Sequence, residues 1–160
     1  MSEWTSQTSP TNLDANSISA VAYGNNMFVA TGVLSSTITS SNGVDWVQNY
    51  DGTGNNYYFP GLTYGQGLFV AVSADNPLGI QYTKTSSDGI NWSLQTAPAN
   101  NNWRSVTYGL VGSQGRFVAV SSSGTGNRVM TSDDGITWTS RTSAANNNWF
   151  SVTYGLVSGG

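Results

Sequence analysis

Short segments of alternating apolar and polar residues recur along this chain. Three apolar segments, MFVATG at Met27, LFVAVS at Leu68 and RFVAVS at Arg116, each follow a turn that contains Gly or Asn. A related segment precedes each turn (SISAVAYG, FPGLTYG and WRSVTYG), and a fourth, WFSVTYG, begins at Trp149. Segments this short that are rich in Val, Thr and aromatic residues predict β-strands. The nearly continuous apolar segments further predict strands that are covered on both faces.

A second motif recurs at a fixed interval. It reads TSSNGVDW from Thr39, TSSDGINW from Thr85 and TSDDGITW from Thr131, so its tryptophans at 46, 92 and 138 are 46 residues apart. Asn-Gly and Asp-Gly favour type I′ hairpins, in which both central residues have positive φ. We therefore expect a tight hairpin in each copy, with the fourth strand beginning near Ile90 or Ile136.

Each period predicts four short antiparallel strands, a unit too small to bury its own apolar faces without stacking on its neighbours. Four strands in about 45 residues is the size of a β-propeller blade. We expect an all-β, propeller-like array without α-helix, forming one partial propeller domain over residues 1–160. Its predicted parts are three full blades at 17–50, 59–97 and 103–143, an outer strand at 3–9 and an inner strand at 149–155.

Three blades are fewer than the roughly four to eight of a closed propeller ring. Sheet faces and edges would remain open in such an array. We therefore expect either a portion of a longer propeller or a chain that associates with copies of itself.

Composition excludes several functions. Charged residues make up 8% of the chain and the net charge is −3, so the sequence predicts no basic surface for nucleic acid. Cysteine and histidine are absent, which removes disulfides, thiolate nucleophiles, imidazole bases and Cys/His zinc sites. We expect no cofactor and no metal. Apolar segments far shorter than the roughly 18 residues of a membrane helix predict no membrane insertion, and the start of the chain lacks signal-peptide features.

The second motif resembles the Asp-box (BNR-like) repeats of bacterial sialidase-type β-propellers, in which Ser, Asp, Gly and Trp follow one another in a turn. With TYG on the inner strand and FVAV on the next, the whole repeat is more similar to divergent arrays of bacterial and phage surface proteins. The resemblance implies a structural turn between the third and fourth strands, and it favours an extracellular surface or a virion as the location. The residues that carry the motif are Ser86, Asp88, Gly89, Trp92, Ser132, Asp134, Gly135 and Trp138, with Asn42, Gly43 and Trp46 in the first copy.

The resemblance also implies that the fourth-to-first and second-to-third loops share one face. Asn residues beside aromatic rings suit sugar recognition, because an amide donates and accepts hydrogen bonds and a ring covers an apolar sugar face. In the alternative, Trp103 and Trp149 pack between blades and the Asn residues cap turns in left-handed conformations. The predicted ligand-binding residues are Asn101, Asn102, Trp103, Arg104, Asn147, Asn148, Trp149, Tyr57 and Tyr58. The variable second-to-third loops add Asp75, Asn76, Asn127 and Arg128.

Catalysis is not expected. A sialidase-like glycosidase would require, by resemblance, a cluster of arginines, a tyrosine nucleophile with a glutamate, and a further acid, whereas Glu3 is the only glutamate. The sequence therefore predicts a non-enzymatic scaffold for assembly or protein interaction, with itself or further blades as partner. A lectin-like glycan-binding module is the alternative, and a sialidase-like glycosidase fragment is the remote one.

Overall fold

The computed structural model describes residues 18–33, 36–50 and 57–155. These residues form β-strands and turns and contain no helix, which confirms the all-β prediction; consequently, no helix in this part of the chain could cross a membrane. The predicted outer strand at 3–9 lies outside the described residues. The strands are β1 (Ile18–Gly24), β2 (Met27–Gly32), β3 (Ser36–Ser40), β4 (Val47–Tyr50), β5 (Tyr58–Gly65), β6 (Leu68–Ala74), β7 (Tyr82–Ser86), β8 (Ser93–Thr96), β9 (Trp103–Val111), β10 (Gln114–Ser121), β11 (Val129–Ser132) and β12 (Thr139–Arg141).

The strands form three four-stranded antiparallel sheets in chain order. The first sheet contains β1 to β4, the second β5 to β8 and the third β9 to β12. Phe28, Phe69 and Phe117 occupy the same position in the second strand of their sheets, and each pairs with the Ser that begins the turn motif. The repeat in the sequence therefore corresponds to a repeat in strand register.

Type I′ geometry occurs at the first turn of two sheets. Asn25 and Asn26 have φ values of 47° and 57°, and Gln66 and Gly67 have values of 51° and 79°, as both central residues of a type I′ turn require. In the third sheet, the φ of Gly112 is positive at 65°. These tight turns hold the first two strands of each sheet together.

The expected type I′ hairpin at the Asp-Gly and Asn-Gly dipeptides is wrong. Only the glycines of the motif, Gly43, Gly89 and Gly135, have positive φ. In the second sheet β7 ends at Ser86 and β8 begins at Ser93, so residues 87–92 form a wide loop. The fourth strand thus starts after the Trp of the motif, and Ile90 and Ile136 lie exposed in the loop. The loop is wide because the Asp or Asn side chain binds backbone N–H groups within it, as described below.

The sheets stack face to face through their first strands. β1 packs beside β5 and β5 beside β9, while β2 contacts β5 and β6 contacts β9. Two apolar clusters fill the spaces between the sheets. Between the first and second sheets lie Val29, Tyr57, Phe59, Leu62, Phe69 and Ala71. Between the second and third lie Val70, Val72, Ala97, Trp103, Val106, Phe117, Ala119, Met130 and Trp138.

A glycine at or near the end of each first strand receives a tyrosine from the next unit, and we call this contact the glycine seat. A Cβ atom on Gly24 would overlap the ring of Tyr64, and one on Gly65 would overlap the ring of Tyr108. Gly109 receives Tyr154 in the same way. Because glycine has no side chain, the ring can lie against the backbone.

Residues 149–155 lie beside β9 without forming a strand. The Trp149 N–H donates to the Ser121 carbonyl at 3.2 Å, and the Val152 N–H donates to Ser105 Oγ at 3.2 Å. Among the described residues no strand pairs with this segment, so it has no ladder to stabilise extended backbone. The segment predicted as an inner strand therefore occupies that position but does not join a sheet.

Lys84 introduces a cation into the contact between the first and second sheets. Its side chain is fully buried, with Nζ 4.3 Å from the ring centre of Phe59 and 4.7 Å from that of Trp92. Nζ also donates to Thr37 Oγ1 of the first sheet at 3.4 Å. Aromatic faces attract cations, which offsets part of the cost of removing the ammonium from water.

We predict that Lys84→Met lowers the free energy of unfolding less than Lys84→Ala, because a methionine fills this volume at the same position of the third sheet, as Met130. Lys84→Ala should lower the free energy of unfolding by about 2 kcal/mol or more through the cavity it leaves. Urea unfolding of the two variants beside the parent protein measures both. Equal destabilisation by the two changes would contradict the prediction.

Candidate functional site

The turn motif is held by backbone N–H groups that donate to one Asp or Asn side-chain oxygen and to one Ser hydroxyl. In the second sheet, Asp88 Oδ1 accepts the N–H groups of Ile90 and Asn91, both at 2.8 Å. Ser86 Oγ accepts the N–H of Gly89 at 2.8 Å. The Trp92 indole donates to the Gly89 carbonyl at 3.1 Å. The third sheet repeats these bonds with Ser132, Asp134, Gly135 and Trp138, and the first repeats them with Ser40, Asn42, Gly43 and Trp46.

In the first two copies of the turn motif, an amide and a carboxylate occupy opposite positions. In the second sheet Asp88 is the acceptor, and its Oδ2 receives a bond from the Asn91 amide at 2.8 Å. In the first sheet Asn42 takes the acceptor position, and its amide donates to Asp45 Oδ2 at 2.8 Å. Each of these two turns therefore keeps one amide bonded to one carboxylate, which explains why an asparagine can replace the aspartate in the first copy.

Hydrogen bonds keep the carboxylates of the motif ionised. The amide of Asn91 and the backbone N–H groups of Asn91 and Ile90 hold the pKa of Asp88 well below its usual range. Burial alone would raise the pKa of Asp134, but the N–H groups of Thr137 and Ile136 lower it to about 2. Donors that bond to the ionised form favour that form.

Two of the turns also contact the preceding sheet. A Cβ atom on Gly89 would overlap Val29 of the first sheet, and one on Gly135 would approach Val70 of the second sheet to 3.0 Å. The positive φ of these glycines is likewise unfavourable for other residues. Each turn thus helps to fix the stacking of its sheet on the one before it.

The predicted ligand loops meet in a polar cluster between the second and third sheets. Arg104 forms an ion pair with Asp75 at 2.7 Å, and its Nε donates to Ser122 Oγ at 2.9 Å. The Asn102 amide donates to Asp75 Oδ1 at 2.6 Å, while its oxygen accepts the Asp75 N–H at 3.1 Å. Asp75 has a φ of 53°, a left-handed conformation that these bonds help to hold. The cluster therefore joins three loops that are distant in sequence.

Asn101 and Asn148 of the predicted site, and the adjacent Asn146, also bond to neighbouring loops. The buried Asn101 amide donates to the Asn127 carbonyl at 2.8 Å, and Asn148 Oδ1 accepts from Arg128 at 2.9 Å. Asn146 Oδ1 accepts the Gly126 N–H at 2.7 Å. None of residues 100–102 or 146–148 has a positive φ, so these asparagines do not cap turns in left-handed conformations.

Aromatic residues of the predicted site divide between core and surface. Trp103 is fully buried and donates to the Ala99 carbonyl at 3.1 Å. Tyr57 is also buried, and burial, followed by its hydrogen bond with Tyr82, raises its pKa. The Tyr58 hydroxyl accepts a bond from Ser19 at 3.3 Å. A ligand at these loops would therefore meet polar side chains and not the face of Trp103.

The surface at residues 147–150 is more open. Phe150 is 64% exposed, Asn147 is exposed and Trp149 is partly buried. The Trp149 Nε1 atom is buried without a hydrogen-bond partner, although the matching atom of Trp103 has one. An unsatisfied buried N–H is unfavourable by about 1–3 kcal/mol, so Trp149 is less well accommodated than Trp103.

Sequence reasoning did not identify the glycine seats, Ser122, whose Oγ accepts from Arg104, or Ser123, whose Oγ accepts the Asn102 N–H at 2.7 Å. The repeated Tyr-Gly dipeptide was the available signal, at 23–24, 64–65, 108–109 and 154–155. Across the described residues, no three acidic side chains lie close enough together to hold a metal ion. Compared with protein-family models and with curated proteins, the chain matches none.

We predict that Asp88→Asn lowers the free energy of unfolding at pH 7 by about 1 kcal/mol, because bonds to a charged acceptor are stronger than bonds to a neutral one. Adding Asn91→Asp should recover most of the loss by recreating the Asn42–Asp45 pair. The exchange of Asn42→Asp with Asp45→Asn is the matched control in the first sheet. Failure of the second change to recover stability would contradict the prediction.

The lowered pKa of Asp88 also predicts how the stability of the protein changes with pH. The pKa of Asp88 is lower in the folded protein than the ordinary value of about 3.9. Ionised Asp88 therefore contributes fully to the free energy of unfolding when the pH is above that ordinary value. This contribution is lost as the pH falls from the ordinary pKa to the folded pKa. Asp88→Asn should make the loss of stability between about pH 5 and pH 2 less steep. Thermal melts across this pH range measure the slope.

Proposed function

We propose that the chain is a non-enzymatic β-propeller-type repeat module that serves as a structural or assembly scaffold. Its sheets stack through a contact that recurs along the chain, and its outer sheet faces are available to further sheets of the same kind. Those sheets belong either to the same polypeptide or to other copies. The resemblance to bacterial and phage surface repeats favours a cell-surface or virion appendage as the setting.

The glycine seat is the observation that carries this proposal. It occurs at Gly24, Gly65 and Gly109, with a tyrosine of the following unit each time. A second recurring contact joins the turn-motif glycines Gly89 and Gly135 to Val29 and Val70 of the preceding sheet. The same surfaces are thus reused at successive sheets, as expected when stability comes from contacts between neighbouring repeats.

The polar groups of the loops are also consistent with a scaffold. Asp88 and Asp134 are engaged by backbone N–H groups, and Asp75 is engaged by Arg104 and Asn102. Carboxylates that already accept several hydrogen bonds hold loops in place and are poorly suited to proton transfer near neutral pH.

A glycan-binding module is the second candidate, supported by the open surface at residues 147–150. Phe150 is exposed beside Asn147 and the partly buried Trp149. An exposed ring next to amides is suited to a sugar, with the ring against its apolar face.

We predict that adding a fourth sheet stabilises the protein. A copy of residues 116–145 placed after Gly160 would supply a second, a third and a fourth strand, with a turn motif between the last two, to follow residues 149–155. Burial of the exposed face of the third sheet should raise the melting temperature by several degrees, because each neighbouring contact adds stability in a repeat array.

The control is an extension with the same composition in scrambled order. Limited proteolysis reports whether the added residues are ordered. If the authentic extension is cleaved as readily as the scrambled one and the melting temperature is unchanged, the scaffold proposal fails.

The glycan candidate predicts binding to immobilised glycans that is lost in Phe150→Ala and Asn147→Ala. Both side chains are exposed, so the variants should fold as the parent does. Leu78→Ala, which alters an exposed residue of the loop between β6 and β7, is the control. Binding that survives both changes, or no binding by the parent, would remove this candidate.

A further inference from the structure

The first sheet leaves its outward face open at positions that are covered in the other sheets. Val21 is 60% exposed, whereas Leu62 and Val106 at the same position are 8% and 5% exposed. Ile18 is 37% exposed, whereas Phe59 and Trp103 are fully buried. Tyr23 is 56% exposed, although its counterparts Tyr64 and Tyr108 lie in glycine seats. The open positions of the first sheet are therefore those that contact a preceding sheet elsewhere in the chain.

Three aromatic rings form a row across this face of the first sheet, from Tyr23 on its first strand toward its outer edge. The Tyr23 ring lies 4.6 Å from that of Phe28, which lies 6.4 Å from the ring of Trp46. The third sheet has the same row, with Tyr108, Phe117 and Trp138 at 4.8 Å and 6.5 Å. There the row packs against the second sheet and Phe117 is fully buried. In the first sheet, Phe28 and Trp46 remain partly exposed.

The third sheet carries the complementary surface on its opposite face. Val118 is partly exposed, whereas Val29 and Val70 at the same position are fully buried by the next sheet. An apolar groove of about 140 Å³ runs along this face. Its lining includes Gly109, Val111, Arg116, Val118, Val152 and Tyr154. The groove thus lies where the aromatic row of a following sheet would pack.

Residues 149–155 occupy only part of that face. They form no ladder, Trp149 Nε1 is buried without a partner, and Tyr154 is 39% exposed although it lies over Gly109. A four-stranded sheet would bring a tyrosine to Gly109 and an aromatic row to Val118 together. Because apolar burial is favourable in proportion to area, a whole sheet has the advantage over a single segment.

We infer that a second copy of this chain docks its first sheet on the third sheet, with Tyr23 of that copy replacing Tyr154 in the seat of Gly109. This inference rests on the proposed scaffold function and identifies the partner as the chain itself. The stacking of the first sheet on the second and of the second on the third provides the template for the contact. Two copies would supply six sheets, within the roughly four to eight blades of a propeller ring.

The experiment uses the full chain and measures mass by light scattering and affinity by sedimentation at increasing concentration. The parent should form dimers, and Tyr154→Ala should strengthen the association severalfold by vacating the seat. Val21→Asp on the first sheet and Val118→Asp on the third should each weaken it at least tenfold. Leu78→Asp places the same charge on an exposed loop away from both faces and should leave the affinity unchanged.

Mixing the two charged variants tests the orientation of the contact. Val118→Asp retains an intact first sheet and Val21→Asp retains an intact third sheet, so an equimolar mixture should regain a dimer that neither variant forms alone. Circular dichroism and thermal melting establish that each variant is folded.

Several outcomes would overturn the inference. One is that the parent and the Tyr154→Ala variant both stay monomeric at all concentrations. Another is that Val21→Asp and Leu78→Asp change the affinity of association equally. The third is that the mixture of Val21→Asp and Val118→Asp forms no dimer. The fourth-sheet extension is an independent test within one polypeptide. If the extension stacks while the copies do not associate, the scaffold proposal stands and only docking between copies fails.

Discussion

The stacking of the three sheets depends on glycine, which has no side chain, at a few positions. At Gly24, Gly65 and Gly109 a tyrosine ring of the next unit occupies the space that a Cβ atom would take. This contact sets how closely β1, β5 and β9 approach one another. The apolar clusters on either side of the second sheet can close only at that spacing, since interiors are packed without room for adjustment. A local backbone property therefore controls packing between units 40 or more residues apart.

The turn motif shows how a repeat can change its residues and keep its chemistry. Its hydroxyl, its carboxylate or amide acceptor and its indole each satisfy a group of the turn backbone, and the acceptor can be Asp88 with Asn91 or Asn42 with Asp45. The motif also contacts the neighbouring sheet through Gly89 and Val29. One short segment thus determines both the shape of the loop and its fit to the preceding unit.

The strands and the repeat could be predicted from the sequence. The alternation of apolar and polar residues is visible within each short segment, and the turn motif returns at a fixed spacing. The wide loop of this motif could not be predicted, because an Asp-Gly dipeptide does not reveal that Asp88 binds N–H groups further along the loop. Trp103 illustrates the same difficulty at the candidate site: a tryptophan beside asparagines has the same local sequence whether it is buried or displayed. The partner of each glycine seat lies on another unit, so the repeated Tyr-Gly dipeptide alone could not identify it.

The glycine seat also gives the array a direction. Within one unit the tyrosine and the glycine are neighbours in the chain. The glycine contacts the tyrosine of the following unit, and the tyrosine contacts the glycine of the preceding unit. The two outer faces are consequently different surfaces, and identical faces cannot pair by this contact. Any assembly built with it is heterologous, so it either closes into a ring or grows as a filament with distinct ends. The angle between successive sheets decides between these outcomes and would limit how many units an assembly can contain.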